Sequence, residues 1–276
     1  MSQSAAIARA AADLAPISLG ELEQEAALMT RTDRKYLVPL PVASRLLTAL
    51  ADDLRVLEIA GTRSSRYRST YFETDGRESF RTAATGRRRR FKVRTRTYVE
   101  SGTSFLEVKT LSARGQSSKV RRQIAARSRL GGAQVTSLGG DELTFVHQHL
   151  DAVGVPRPEG ALQGRLSTSY SRTTLLVPSE GSRLTIDADL RWESPHLPGI
   201  SPTDAVSAPK TTHLQQLVVV ETKSGARPGL ADRFLWSQGQ RPRRLSKYAT
   251  GLALLTPDLP ANRWHRTLEL VRSDAA

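Results

Sequence analysis

The sequence predicts an α+β fold: an antiparallel sheet or β-barrel with helices packed outside it. Three observations lead there. Short strand-like segments recur with alternating polar and apolar character, the signature of period-two side-chain placement. Their connections are short and marked by glycine, which suits antiparallel neighbours rather than parallel crossovers. Helical patterns fall near the two ends and between groups of strands, not after every strand.

In chain order, Met1 to Ala15 is Ala-rich, carries Arg9 and Asp13, and has no continuous apolar run. It reads as a frayed tail or short helix rather than a signal peptide. Thr32 to Val38 reads as a strand. Pro41 to Leu54 reads as a helix, with Leu46, Leu47, Leu50 and Leu54 on one stripe and Pro41 in its first turn. Tyr67 to Thr74 is rich in Tyr, Phe and Thr and reads as a strand. Arg88 to Val99, Ser104 to Leu111 and Ser118 to Ala125 follow as strands, with Gly102 and Gly115 in the turns. Asp141 is a candidate N-cap for a helix carrying Leu143, Val146, Leu150 and Val153, and Gly154 is its stop signal. Strands resume at Arg165 to Leu176, Arg183 to Trp192 and Gln216 to Lys223. Ser194 to Pro209 contains four prolines and reads as a loop. Leu230 to Gln238 is a further short helix. No stretch reads as an interdomain linker.

Charge narrows the function. Lys plus Arg number 41 against 27 acids, a net charge of +14, which favours anionic partners. Residues 81 to 122 hold thirteen of those cations and only two acids, Glu100 and Glu107. The absence of cysteine excludes disulfides, thiolate metal sites and cysteine nucleophiles, and fits a reducing compartment. No apolar run reaches the roughly 20 residues that span a bilayer, so a cytoplasmic location is expected.

Strand alternation puts Arg90, Lys92, Arg94 and Arg96 on one face, with Phe91 and Val93 on the other. Same-face neighbours lie roughly 6.6 Å apart. Four cations so placed repel one another unless a polyanion or opposing carboxylates lie along them. Arg87 to Arg89, in the preceding loop, read as a solvated or steering cluster. Glu107 and Lys109 share a face, as do Glu221 and Lys223, and Asp187 and Asp189. Each pair alone is weak. Together they describe strands with apolar outer faces and inner faces that mix acids with bases. A lining of that kind needs a ligand or metal, because buried charges without partners are costly. It suits a triphosphate with a divalent cation: Lys and Arg offset phosphate charge, and carboxylates hold hard Mg²⁺ or Mn²⁺.

The residues then resemble a known family. Arg34-Lys35-Tyr36, Tyr71-Phe72-Glu73-Thr74, Lys92 to Tyr98, Phe105 to Lys109, Ser118-Lys119, Tyr170-Ser171-Arg172, Thr185-Ile186-Asp187, Glu221-Thr222-Lys223 and Leu245 to Tyr248 occur in an order similar to the VTC domain. That is the polyphosphate polymerase domain of the vacuolar transporter chaperone proteins, within the triphosphate tunnel (CYTH-like) metalloenzymes. The resemblance covers about residues 28 to 255, leaving 1–27 as an N-terminal tail or short helix and 256–276 as a C-terminal tail. It implies an antiparallel β-barrel, the triphosphate tunnel fold, and transfer of the γ-phosphoryl group of ATP to a growing polyphosphate chain with Mn²⁺ or Mg²⁺. It implies phosphate contacts from Lys35, Arg94, Arg96, Lys109, Lys119, Tyr170, Arg172, Arg183, Ser246 and Lys247, with Arg90, Lys92 and Lys223 beside them on the same basic strands. Arg94, Arg96, Lys109, Arg172 and Lys247 are the expected catalytic set. Glu221 is the expected metal ligand, with Glu107, Asp187 and Asp189 as further candidates.

Departures from the family pattern sharpen this. Arg31-Thr-Asp33-Arg-Lys35 replaces the acidic E-x-E-x-K strand of many tunnel hydrolases, which favours polymerase over hydrolase. Glu73 stands where the family usually shows Asp, and Arg244 where a Lys is usual. No additional domain or membrane helix like those of the eukaryotic members is read here, so coupling to membrane transport is not expected. The competing readings are a triphosphate hydrolase or cyclase, a polyphosphate-binding module without turnover, and a nucleic-acid binder. The last is disfavoured, because aromatics are only 5% of the chain and are not interleaved with the basic run. His147, His149, His196, His213 and His265 lie outside every motif and read as surface or structural residues.

Overall fold

The computed structural model describes residues 1–25, 32–125, 137–194 and 210–275. In chain order the described elements are α1 (Gln3–Ala10), β1 (Ala15–Ile17), α2 (Leu19–Glu25), β2 (Thr32–Pro39), α3 (Leu40–Ala49), β3 (Arg55–Leu57), β4 (Ser65–Glu73), α4 (Glu78–Ala84), β5 (Arg90–Tyr98), β6 (Ser104–Leu111) and β7 (Ser117–Ile124). They continue with α5 (Gly140–Ala152), β8 (Gln163–Val177), β9 (Ser182–Glu193), β10 (Thr211–His213), β11 (Leu217–Ser224), α6 (Leu230–Ser237), α7 (Lys247–Leu255) and α8 (His265–Ala275). Each long strand and each helix expected from the sequence is present. The elements not anticipated are short (β1, β3, β10, α2, α4) or lie in the C-terminal stretch (α7, α8). The Ser194–Pro209 loop, His196 and Arg31 fall largely or wholly outside the described residues.

The eight main strands run in the order β2-β11-β9-β8-β4-β5-β6-β7, and each is antiparallel to its neighbours. Their registers align one set of side chains across the whole sheet. Lys35 faces Glu221, Arg172 faces Asp187, Tyr67 faces Tyr170 and Tyr98, Arg94 faces Glu107, and Lys109 faces both Lys92 and Lys119. All of these project from one face, called inner below.

The opposite face is apolar and helix-covered. Tyr36, Val38, Ile186, Val218 and Val220 bury against α1, α3 and α6, through Ile7, Leu46, Leu47 and Leu235. Phe91, Val93, Leu106 and Val108 bury against Val146 and Leu150 of α5. These are the helices expected outside the sheet. Helix α7 is different. Tyr248, Ala249 and Leu252 pack with Leu37, Tyr71, Leu166, Trp192 and Val219, which project from the inner face. The contact is close: a Cβ at Gly251 would sit 2.0 Å from Trp192. Helix α7 therefore covers one end of the inner face and points its N-terminus along it. The stretch from 256 onward is not a loose tail, since α8 and the turn before it bury Trp264, Leu268 and Val271 in the same cluster.

Two further expectations need correction. The barrel is not closed, because among the described residues no pairing joins the edge strands β2 and β7. Both edges are basic, with Arg34 and Lys35 on β2 and Lys119, Arg121 and Arg122 on β7. Like charges brought side by side oppose pairing, and charge is a common guard of sheet edges. The sheet nevertheless curls into a trough: Lys109 on β6 lies close enough to Lys35, Asp33, Lys223 and Glu221 on the far strands for their charges to shift its pKa.

The second correction concerns Asp189, which does not share the inner face with Asp187. The register of β8 with β9 shifts beside Tyr170, and Asp189 adopts φ 53°, the left-handed backbone of a bulge. The extra residue changes the period. Asp187 stays inside, Asp189 turns to accept hydrogen bonds from the backbone N–H groups of Gln3 (3.0 Å) and Ser4 (3.2 Å), and Leu190 and Trp192 turn in beneath α7. Alternation alone carries no sign of such a bulge.

Candidate functional site

Three buried carboxylates organise the inner face, and each is ringed by cations. Glu107 on β6 accepts from Arg94 Nε at 2.7 Å and from Lys119 Nζ at 3.0 Å, with Arg96 at 3.8 Å. Asp187 on β9 is fully buried and is gripped at both oxygens by Arg172, at 2.6 and 2.8 Å, with Lys247 of α7 also bonded to it. Glu221 on β11 bonds Lys223 and lies 3.9 Å from Lys35, while Lys223 reaches Asp33 at 3.5 Å. Burial alone would raise all three carboxyls. The cations win: Arg94, Arg96 and Lys119 bring Glu107 down to about 2, Lys35 and Lys223 bring Glu221 to about 2, and Arg172 with Lys247 holds Asp187 well below the carboxylate range. All three are ionised at neutral pH.

Many of the cations also rest on tyrosine rings. Arg172 lies over Tyr67 (5.5 Å) and Tyr170 (5.3 Å), Arg96 over Tyr67 (5.4 Å), Arg94 over Tyr71 (5.8 Å), Lys247 over Tyr170 (4.6 Å) and Lys92 over Tyr248 (5.1 Å). Aromatic faces attract cations without neutralising them, so the charge stays available to an anion. Burial opposes ionisation of Tyr170, yet Arg172, Arg96 and Lys247 pull its pKa below the usual value. Sequence reasoning singles out Tyr170 as a site residue but not Tyr67 or Tyr98. The signal for Tyr67 is the aromatic run from Tyr67 to Phe72, which carries no regular charge to draw attention.

Lys92 and Lys109 differ from the cations gathered around those three carboxylates. They face each other across β5 and β6, and among the described residues neither has a carboxylate within ion-pair distance. Lys92 donates to the Ser246 hydroxyl at 3.2 Å. Burial, then Arg94, Lys109, Lys35 and Arg90, push its pKa down to about 7. Burial followed by Lys35 lowers Lys109. Beside them opens the N-terminus of α7, where Ser246 caps the Ala249 N–H at 3.2 Å. A cavity of about 440 Å³ lies there, lined by Arg90, Lys92, Lys109, Arg244, Ser246, Tyr248, Arg263 and Trp264 among others. Helix α7 is fixed in this pose by the Tyr248 hydroxyl on Glu73 and by Trp192 Nε1 on the Lys247 carbonyl at 2.7 Å. Glu73 also accepts from the Ser79 and Phe80 N–H groups at the start of α4, so it is an anchor rather than a lining residue.

Four buried polar atoms on the inner face have no hydrogen-bond partner among the described residues: Ser69 Oγ, Arg96 Nε, Thr168 Oγ1 and Thr185 Oγ1. Buried polar groups are normally paired, so these atoms have bonding capacity left over; Ser69, Arg96 and Thr168 are cross-strand neighbours, and Thr185 lies beside Glu221.

The structure thus brings Lys35, Arg90, Lys92, Arg94, Arg96, Lys109, Lys119, Tyr170, Arg172, Arg183, Lys223, Ser246 and Lys247 to one concave face, with Glu107, Asp187 and Glu221 among them. Arg183 sits at the far end, opposite Lys223, and also reaches the Leu22 carbonyl at 3.4 Å. Asp189 is excluded by the bulge. Among the described residues no three acidic or histidine side chains converge on a metal-sized space. Glu107 and Asp187 are held in guanidinium forks, whereas Glu221 is met by lysines, flexible point charges that can turn away. Mg²⁺-type ions keep several waters and take one or two carboxylates plus substrate phosphates. Glu221 therefore fits an ion that arrives with phosphate, not a cage built from protein alone.

The VTC domain family model matches residues 30–256. No curated protein sequence matches the chain. Among solved structures, a putative adenylyl cyclase from Hippeastrum, described as having a dominant triphosphatase activity, is 18% identical at a TM-score of 0.49, covering 85% of this chain and 100% of that one. A putative adenylate cyclase from Vibrio parahaemolyticus is 12% identical at 0.36, covering 88% and 98%. A conserved hypothetical protein from Pyrococcus furiosus is 13% identical at 0.35, covering 76% and 88%.

Proposed function

The chain belongs to the VTC domain family, and from that premise we propose that it is an ATP-dependent polyphosphate polymerase. The observation that carries the reading is the Lys92–Lys109 pair: two inward-facing cations, Lys92 half-buried and Lys109 exposed into the trough, neither with a carboxylate within ion-pair distance among the described residues. Such a centre is unfavourable when empty and favourable around a chain of phosphates.

In this reading the triphosphate of ATP lies along the trough, held by Arg94, Arg96, Arg172 and Lys247, with Lys92 and Lys109 at its centre. Lys35, Lys119, Arg183 and Lys223 continue the cationic track. A terminal oxygen of the polyphosphate chain attacks the γ-phosphorus. The bond from that phosphorus to the β–γ bridging oxygen breaks, and ADP leaves with the electron pair. The chain grows by one phosphate. Phosphoryl transfer of this kind asks for alignment and charge stabilisation more than covalent catalysis. The nucleophile is already an anion, so no general base is needed. Mn²⁺ or Mg²⁺ held by Glu221 and phosphate oxygens would supply further neutralisation of the transferring group. A hydrolase would instead have to orient and activate water, and the acid-poor β2, with Asp33 as its carboxylate, supports the polymerase over that alternative.

No helix among the described residues is long and apolar enough to cross a membrane, and a cytoplasmic site of action is part of the proposal. The test is purified protein with ATP and Mn²⁺ or Mg²⁺, followed by chain-length analysis. Polymer longer than the primer is expected. Orthophosphate without polymer would replace the reading with a triphosphatase. Tight polyphosphate binding without turnover would leave a binding module.

A further inference from the structure

Outside the trough lies a second basic concavity. It has a volume of about 590 Å³ and is lined by Arg241, Arg243, Arg244, Arg263, His265 and Arg266, with Asn262, Trp264 and Thr267. All five arginines are exposed, and among the described residues none has a carboxylate within ion-pair distance. The lining contains no acid, and Glu269, four residues on along α8, pairs with His265 at 3.1 Å. Exposed cations ordinarily stand interspersed with acids, so five unpaired arginines around one hollow are unusual.

The backbone that carries them is fixed. Arg243 N–H donates to the Lys35 carbonyl at 2.7 Å, which ties the 240–246 segment to β2. The Arg244 carbonyl accepts from Thr267 Oγ1 at 3.1 Å, which ties it to α8. Arg241 lies over the Trp236 ring at 5.2 Å. The hollow is also continuous with the trough. Arg244, Arg263 and Trp264 line both this hollow and the cavity beside Lys92 and Lys109. Arg90 at the end of β5 is close enough to Arg263 for its pKa to fall further than burial alone would lower it.

We propose that this arginine shelf is a second polyanion-binding site, which holds the stretch of a linear polyphosphate chain that extends beyond the trough. The inference rests on the phosphate reading of the inner face. A flexible phosphate chain needs only a run of unpaired cations, without base pockets. Nucleic acid is the less suitable occupant, because Trp264 is buried and the lining offers no exposed aromatic ring on which a base could stack. The shelf makes retention depend on length: a chain that fills only the trough ignores it, and a longer chain gains contacts from it.

The experiment compares the full chain with the triple variant Arg241→Ala, Arg243→Ala, Arg266→Ala, which leaves untouched the two arginines that border the trough. Calorimetric titration uses tripolyphosphate, long-chain polyphosphate and single-stranded DNA, each at the same series of salt concentrations for both proteins. The expected result is tripolyphosphate affinity within about twofold of wild type and long-chain affinity lower by at least about tenfold, with a shallower salt slope. Unchanged long-chain binding by the triple variant would overturn the shelf and leave the trough reading intact. Loss of DNA binding with long-chain polyphosphate binding unchanged would assign the shelf to nucleic acid and overturn the proposal. Wild-type protein that binds long chains but not tripolyphosphate would sink the trough reading and keep the shelf. Binding of neither polyphosphate would sink both. Equal thermal midpoints for the two proteins separate a lost contact from a lost fold.

Discussion

Arg94 and Lys92 stand two residues apart on β5 and face the same way, yet their electrostatic situations are opposite. Arg94 is held by Glu107 and lies over Tyr71, and its proton is bound more tightly than in water. Lys92 has one hydroxyl partner and four neighbouring cations, and its proton is bound far less tightly. The same contrast divides the whole inner face. Around Glu107, Asp187 and Glu221, cations are aimed and part-neutralised. Around Lys92 and Lys109, charge is left over. The paired region supplies geometry and the unpaired region supplies the attraction for an anion. A site built wholly in the first manner would be stable and indifferent to phosphate; one built wholly in the second would not fold.

The largest effect that tests this contrast is on stability. Asp187 lies between Arg172 and Lys247, and Asp187→Asn leaves both half-buried cations without their acid, resting only on tyrosine rings. Breaking such a buried pair costs about 3–5 kcal/mol. The expected result in calorimetry is a midpoint lower by roughly 10 °C. Polyphosphate, which binds the folded state, restores part of that loss. A midpoint within about 2 °C of wild type would show that the paired cations do not depend on their acid.

The next effects are on binding. Lys92→Met and Lys109→Met remove charge that has no acid to balance it. Each is expected to weaken tripolyphosphate binding by about 30- to 100-fold, the loss of a charge-assisted hydrogen bond in a partly buried site. Each also raises the thermal midpoint of the free protein. Weakened binding together with a lowered midpoint would place these lysines in the paired class. Smaller, and of opposite sign, is Glu107→Gln. It releases Arg94, Arg96 and Lys119 from their acid and is expected to tighten tripolyphosphate binding by about five- to tenfold while lowering stability. Because the Lys119 side chain is 47% exposed, that stability loss is smaller than for Asp187→Asn.

Much of this arrangement is legible in the sequence, for a physical reason. Period-two alternation is a property of the strand, so the spacing of Arg90 to Arg96, of Glu107 with Lys109, and of Glu221 with Lys223 is enough to announce a shared face. Which partner each charge takes is a property of register and curvature, and is not local. Nothing in the Glu-x-Lys spacing says that Glu107 bonds Lys119 and Arg94 while Lys109 is left to face Lys92. The Asp189 bulge is hidden for the same reason, since its left-handed backbone is stabilised by Gln3 and Ser4, 185 or more positions away. Helix α7 is hidden because its apolar face is nearly continuous, with seven of nine residues buried, so it lacks the one-sided stripe of a surface helix.

The last effect, the smallest when read per unit of pH, is on the pH dependence of stability, and its sign follows from which state holds more protons. Lys92, lowered from 10.5 to about 7 by burial and neighbouring cations, is less protonated when folded than when unfolded between those two values. The unfolded chain therefore binds more protons there, and stability rises with pH across that window, by at most about 1.4 kcal/mol per unit for one group. Lys109 and Lys119, lowered in the same direction, add to the rise. Glu73 works on the other side of neutrality. Burial raises it from 4.5 to about 7 against the Phe80 and Ser79 hydrogen bonds, so the folded state holds more protons between those values and stability falls as pH climbs through them. Tyr67, raised from 10.0 to about 12 chiefly by burial, acts only at the top of the Lys92 window and above it. The free protein is thus expected to show a stability minimum near pH 7 in denaturant titrations run without phosphate. Glu73→Gln removes the falling limb and Lys92→Met reduces the rising one. Tripolyphosphate fills the minimum, because the bound anion restores the proton on Lys92. A minimum that persists in saturating tripolyphosphate would mean that Lys92 does not face the ligand, and the contrast between Lys92 and Arg94 would then concern folding alone.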